Sequence, residues 1–91
     1  MGAGSLHIWL ADDGAHFRQF MAQLLNLEQG VECACHFSSA KAVLRALQEK
    51  PPDAILLDVE MPGINGIEAI QSIQQLAPST AVLMLTTFPD G

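Results

Sequence analysis

Three acidic side chains stand directly after apolar segments and have the type needed to bind a divalent cation. Asp12 and Asp13 follow the apolar run 6–11, and Asp58 follows the apolar run 54–57. Short apolar runs of this kind are typical of strands covered on both faces of a parallel sheet. Open α/β sheets bind their ligands at the carboxyl ends of such strands. For Asp58 taken alone, a role as a loop or cap residue is an equal alternative, because Asp is common in turns.

The acids predict a magnesium site. Carboxylates held close together repel one another, so at least one of them has a raised pKa unless a cation is present. Mg²⁺ prefers carboxylate and carbonyl oxygens, which Asp12, Asp13 and Asp58 supply. The main-chain carbonyl of Glu60 is a candidate further ligand. With the cation bound, Asp58 gains a possible second role as a nucleophile that carries an acyl phosphate.

Thr86 ends the fourth apolar segment and is a candidate partner of a phosphoryl oxygen, through its hydroxyl group. Considered alone, it is better interpreted as an ordinary β-branched strand residue. The acids at the end of the first segment also argue against two rival uses of this edge, the binding of a flavin or nucleotide phosphate and of a dinucleotide. A flavin or nucleotide phosphate requires free N–H groups there, and a glycine-rich dinucleotide motif is absent.

The chain alternates apolar strand patterns with amphipathic helix patterns, giving four strands and three helices. Strict alternation predicts an α/β fold with a doubly wound parallel sheet and right-handed crossovers. The pattern alone leaves the strand order open. We expect the flavodoxin-like order 2-1-3-4, which places the first and third strands side by side and brings Asp12, Asp13 and Asp58 together.

Length and charge restrict the function classes. A chain of 91 residues forms one domain, and we interpret residues 1–5 as a leader outside the fold. The net charge is −6 and all four Lys and Arg residues lie in the first 50 positions, which argues against direct binding of nucleic acid or an anionic membrane by this segment. No apolar run is long enough to span a membrane, and no secretory leader is present.

Cys33 and Cys35 lie two apart in the second predicted strand. Alternation along a strand predicts that both point to the same face. Their spacing suits neither a zinc site nor an ordinary disulfide. We interpret them as a pair of reduced, buried thiols, which fits a cytoplasmic protein.

Three segments of the chain are distinctive: Leu10-Ala-Asp-Asp13, Leu57-Asp-Val-Glu-Met-Pro-Gly-Ile-Asn-Gly-Ile-Glu68 and Leu83-Met-Leu-Thr-Thr-Phe88. They resemble the receiver domain of bacterial two-component response regulators. The resemblance covers the chain from about Leu6 to its end, and its middle motif is the most specific. The middle and last motifs are most similar to regulators whose output domain is a helix-turn-helix DNA-binding module.

The resemblance implies a role for each site residue. Asp58 would be the phosphoacceptor, and Asp12 and Asp13 would hold Mg²⁺ together with the carbonyl of Glu60. Thr86 would be the switch hydroxyl, and Thr87 would occupy the small-residue position beside the phosphoryl group. The phosphodonor would be a histidine kinase or a small acyl phosphate, and the domain would regulate an attached transcriptional output domain rather than act as an enzyme.

The sequence departs from the family at its carboxyl end. The family's fifth strand, its last two helices and the Lys that pairs with the phosphoryl group have no counterpart, so residues 6–91 are predicted to be a truncated receiver. The open edge of strand four predicts a homo-oligomer or an element-swapped dimer. The alternative function is therefore an association module with impaired phosphorylation. An aspartyl-phosphate hydrolase is disfavoured, because Glu60 stands where such enzymes carry a second Asp.

Overall fold

A computed structural model describes residues 5–58, 61 and 65–85. In this part of the chain four strands alternate with three helices, as the sequence predicts. The strands are β1 (Leu6–Ala11), β2 (Val31–Phe37), β3 (Ala54–Asp58) and β4 (Ala81–Leu85), and the helices are α1 (Ala15–Leu27), α2 (Ala40–Ala46) and α3 (Gly66–Leu76). None of these helices has the length and apolar character required to cross a membrane.

The four strands form one parallel sheet in the order β2-β1-β3-β4, which confirms the predicted fold class and strand order. Parallel neighbours require crossover connections, which the helices supply. Ala11 of β1 pairs with Leu57 of β3, so these two strands end level with each other. The residue that follows each of them therefore emerges at the same edge of the sheet.

The two faces of the sheet are covered unequally. Helices α2 and α3 cover one face and enclose the larger core cluster. Helix α1 covers the other face, where the buried cluster contains Leu10, Ala22 and Cys33. The larger cluster consists of Ala11, Ala40, Val43, Leu47, Ile55, Leu57, Met61, Ala69, Ile73 and Ala77.

Helix α1 is less buried than its apolar pattern predicts. Met21 and Leu25 pack against the sheet together with the buried Ala22. A second stripe along the same helix is exposed, with Phe20 58% and Leu27 79% accessible. The helix contacts β1 and β2 with one flank only, so its remaining apolar side chains lie outside the core.

Strand β4 also exposes apolar side chains, and it is an edge strand of the described sheet. Leu83 is 54% accessible and Met84 is 57% accessible. Leu83 pairs with Leu56 and Met84 pairs with Leu57, so the two exposed side chains lie on opposite faces. The sequence-based expectation of an apolar edge at strand four agrees with this arrangement.

The prediction that both cysteines are buried on one face is wrong. Cys33 is buried, whereas Cys35 is exposed. The pairing of β1 with β2 shifts register, because two β2 residues lie between the partners of His7 and Trp9, where β1 has one. This irregularity reverses the alternation of β2, so Cys33 belongs to the α1 face and Cys35 lies opposite Trp9 on the other face.

The side chain of Asn26 holds the irregular part of β2. Its Nδ2 donates to the carbonyl oxygen of Cys33 at 3.0 Å, and its Oδ1 accepts from the Cys33 N–H at 2.8 Å. Gly30, in the turn that leads into β2, has φ +83°, a conformation that favours glycine. The Asn26 contacts therefore lie at the point where the register of β2 against β1 shifts.

Candidate acidic metal site

Asp12, Asp13 and Asp58 form a compact cluster at the carboxyl edge of the sheet. Each offers one carboxylate oxygen, and these oxygens all lie within 4.8 Å of one another. Asp12 and Asp58 are buried, at 8% and 9% accessibility, whereas Asp13 is exposed. The structure therefore brings together the three acids that the sequence singled out, with Asp13 on the solvent side.

The backbone around Asp12 is tied on both sides. Its N–H donates to the carbonyl oxygen of Phe37 in β2 at 3.0 Å. Its carbonyl oxygen accepts from Nη1 of Arg18 at 2.9 Å. The Gly14 N–H donates to Oδ1 of Asp12 at 2.8 Å, and a Cβ at Gly14 would lie only 3.2 Å from that oxygen. Glycine at this position therefore permits the close approach of the loop to the carboxylate.

Asp58 is the last residue of β3, whose preceding residues are part of the core. It pairs with Leu85 of β4, so the end of β4 lies beside the acidic cluster. Thr86 and Thr87, which follow Leu85, lie outside the described residues, as does Glu60. Their predicted roles therefore remain predictions.

The electrostatics of Asp12 favour a cation. Burial raises the pKa of Asp12, and the hydrogen bond from the Gly14 N–H lowers it. The negative charge of Asp58, a side-chain hydrogen bond with Asp58 and the charge of Asp13 raise that pKa further. A hard divalent cation would remove this repulsion, and carboxylate oxygens are the ligands that Mg²⁺ prefers. The residues present therefore fit a magnesium ion.

Arg18 and His36 are near the site and were not singled out by the sequence reasoning. Nε of Arg18 donates to Nδ1 of His36 at 3.0 Å, while Nη1 reaches the carbonyl of Asp12. The N–H of Arg18 donates to the carbonyl oxygen of Gly14 at 2.9 Å, which opens α1. The sequence feature that could have identified Arg18 is its position four residues after Gly14, which places it in the first helical turn after the acid-bearing loop.

Comparison with known proteins identifies relatives over almost the whole chain. Residues 8–90 match the family model described as the response regulator receiver domain. The transcriptional regulatory protein LnrK of Bacillus subtilis is 34% identical over 86 residues, which cover 94% of this chain and 39% of LnrK. The DNA-binding transcriptional regulator NtrC of Klebsiella pneumoniae is 34% identical over 82 residues, which cover 90% of this chain and 17% of NtrC.

A solved structure of similar fold is the response regulator domain of Thermotoga maritima CheB. It superposes with a TM-score of 0.83 at 27% identity, covering 94% of this chain and 63% of that domain. The chain thus spans only part of the length of the proteins it resembles. The residues matched by the family model, 8–90, contain the three acids.

Proposed function

This chain belongs to the response regulator receiver domain family, and from that premise we propose that it accepts a phosphoryl group on Asp58 in a Mg²⁺-dependent reaction. The donor is a histidine kinase or a small acyl phosphate. Phosphorylation of Asp58 regulates an attached transcriptional output domain. Two relatives support the last point, since their names describe transcriptional regulators.

The observation that carries the proposal is the convergence of Asp12, Asp13 and Asp58 within 4.8 Å at the carboxyl edge of the sheet. A lone acid at a strand end is compatible with a loop role, but three carboxylates that repel one another require a reason to be held together. Binding of a cation beside the acceptor supplies that reason. Such a site also provides charge compensation for an incoming phosphoryl group.

In the proposed reaction with acetyl phosphate, a carboxylate oxygen of Asp58 attacks the phosphorus atom. The bond between phosphorus and the acetyl oxygen breaks, acetate leaves, and an acyl phosphate forms on Asp58. Asp12, Asp13, Asp58 and the carbonyl of Glu60 would hold Mg²⁺, which when bound stabilises negative charge on phosphoryl oxygens. Thr86 would donate a hydrogen bond to the phosphoryl group, and Thr87 would leave space beside it.

Intact-mass spectrometry after incubation with acetyl phosphate and Mg²⁺ tests this proposal. We expect one added phosphoryl group on the parent and none on Asp58→Asn or after Mg²⁺ is removed with a chelator. Asp53→Asn is the matched control, because Asp53 precedes the same strand at its other end, where its Oδ2 accepts from the His7 N–H. Absence of labelling on the parent would contradict the acceptor role.

The exposed apolar side chains favour a second candidate function, association with another copy of this chain. Leu83 and Met84 of β4 and Phe20 and Leu27 of α1 are more than half accessible. An open strand edge with apolar side chains is a template for pairing with a second chain. We propose a homo-oligomer or swapped dimer through β4. A stable compact monomer at micromolar concentration in sedimentation velocity would contradict it.

We also propose that the domain works in the cytoplasm, because Cys33 and Cys35 are both free and a reducing compartment preserves such thiols. We propose no enzymatic activity beyond its own phosphorylation. One relative is named as an enzyme, a protein-glutamate methylesterase, but this chain covers only 22% of the length of that protein. The match therefore gives no reason to propose the enzyme's activity for this chain. The net charge of −6 argues against nucleic acid or an anionic membrane as a direct partner of this segment.

A further inference from the structure

We propose that Arg18 is a positioning residue for the acidic site, because its guanidinium fixes the peptide group that joins Asp12 to Asp13. This inference rests on the proposed function of that site as a Mg²⁺-dependent acceptor. Arg18 would act through the backbone of two metal-binding acids and would not itself need to contact the metal. The argument starts from two hydrogen bonds of one side chain.

The first hydrogen bond holds the peptide plane. Nη1 of Arg18 donates to the carbonyl oxygen of Asp12 at 2.9 Å. That oxygen lies in the same rigid plane as the Asp13 nitrogen and Cα. Since the Asp12 N–H is held by Phe37 of β2, fixing the following plane determines where the Asp13 side chain starts. Asp13 is the exposed acid of the cluster, so its position depends on this loop more than on packing.

The second hydrogen bond aims the guanidinium. Nε of Arg18 donates to Nδ1 of His36 at 3.0 Å. His36 is in β2 and pairs with Leu10 of β1. Two hydrogen bonds from different nitrogens fix the orientation of a planar guanidinium. A lysine ammonium has a single nitrogen on a flexible stem and cannot be oriented in this way. Arg18 therefore ties α1, the acid-bearing loop and β2 into one unit.

The contacts indicate positioning rather than simple charge compensation. The guanidinium donates to a main-chain carbonyl and to an imidazole nitrogen. If charge alone mattered, any cation at this position would serve equally well. If geometry matters, both guanidinium donors are required, and His36 contributes by accepting the hydrogen bond that orients the guanidinium.

Calorimetric titration with Mg²⁺ tests the inference in variants of Arg18 and His36, with a control variant in α2. We expect Arg18→Ala to weaken Mg²⁺ binding about tenfold, as loss of a residue that orients metal ligands typically does. Arg18→Lys keeps the charge but replaces the planar guanidinium by a single ammonium nitrogen, so its affinity should fall between those of Arg18→Ala and the parent. Arg45→Ala is the matched control, because it removes the same charge from an exposed position in α2. It should bind Mg²⁺ as the parent does.

His36→Ala separates geometry from charge. We expect a smaller loss of affinity than in Arg18→Ala, and no additional loss when His36→Ala is combined with Arg18→Ala, because the two side chains act as one unit. Parent-like affinity in Arg18→Lys together with no effect of His36→Ala would overturn the inference. Arg18→Lys and His36→Ala keep the test informative if Arg18→Ala fails to fold.

Nuclear magnetic resonance distinguishes failure of this inference from failure of the proposed function. The Asp13 amide belongs to the peptide plane that Arg18 holds, so its resonance should move in Arg18→Ala and stay in place in Arg45→Ala. An unmoved Asp13 amide in Arg18→Ala overturns the positioning role whether or not metal binds. If the parent binds no Mg²⁺ and takes no phosphoryl group while the amide moves as expected, the proposed function fails and the structural tie stands.

Discussion

Asp12 and Asp58 lie side by side because the residues that precede them, Ala11 and Leu57, are paired across neighbouring parallel strands. The proximity of the two buried acids is therefore a consequence of sheet register, not of a flexible loop. The sheet holds them together even though burial and neighbouring negative charge raise the pKa of Asp12. A folded domain that retains this repulsion should respond strongly to a cation.

Magnesium should stabilise the fold through this cluster. A ligand that binds only the native state at 100 times its Kd adds about 2.7 kcal/mol to the free energy of unfolding. We expect a gain of that size in urea unfolding of the parent and most of it to be lost in Asp13→Asn, which removes an exposed carboxylate of the proposed metal site without disturbing the core. Asp53→Asn should keep the gain. An equal gain in Asp13→Asn would show that Asp13 is not a ligand.

Without metal, Asp12→Asn should be more stable than the parent at pH 7. The pKa of Asp12 is raised above 3.8 in the folded state, so the folded state binds its proton more tightly than the unfolded chain does. The stability that this proton contributes is fully present below pH 3.8 and is lost as pH rises through the folded pKa. Asn keeps a side-chain oxygen for the Gly14 N–H and stays uncharged at every pH, so the neighbouring acids do not repel it.

Chemical denaturation from acid to neutral pH measures this linkage. The advantage of Asp12→Asn over the parent should grow as pH rises through the folded pKa of Asp12. Asp53→Asn serves as a control for the general effect of removing one carboxylate. An advantage that is constant across this range would contradict the assignment of the pH dependence to Asp12.

The two cysteines should react at very different rates with a neutral alkylating reagent. Cys35 is exposed, whereas Cys33 is buried and burial raises the pKa of its thiol. Because the thiolate is the reactive form, the low accessibility of Cys33 and the small ionised fraction of its thiol both slow its alkylation. Mass spectrometry of Cys35→Ser and Cys33→Ser after timed alkylation measures each site separately. Equal rates in the two variants would mean that the register shift in β2 is absent in solution.

Leu83→Lys should reduce self-association with little effect on stability. Leu83 is 54% accessible on an edge strand, and substitutions at exposed positions usually change the free energy of unfolding by no more than about 0.5 kcal/mol. Leu57→Ala is the contrasting control, because Leu57 is fully buried and such a change costs about 2–5 kcal/mol. Sedimentation velocity and urea unfolding give both quantities. Unchanged association in Leu83→Lys would place any interface elsewhere.

The local pattern of the sequence determined the elements and the chemical types at their ends. Apolar runs such as 54–57 identify strands because a strand covered on both faces must be apolar throughout. Strict alternation with helices then limits the fold to a parallel α/β sheet. The three acids could be proposed as a group for the same reason, since each follows such a run.

Only the tertiary structure decided the features that depend on partners distant in the chain. The register shift between β1 and β2 separates Cys33 from Cys35, and no alternation rule within β2 reveals it. The contact of Arg18 with His36 joins residues 18 positions apart. Such contacts depend on how strands and helices are placed against one another, and the free energy of that placement is distributed over the whole core rather than encoded in a local run of residues.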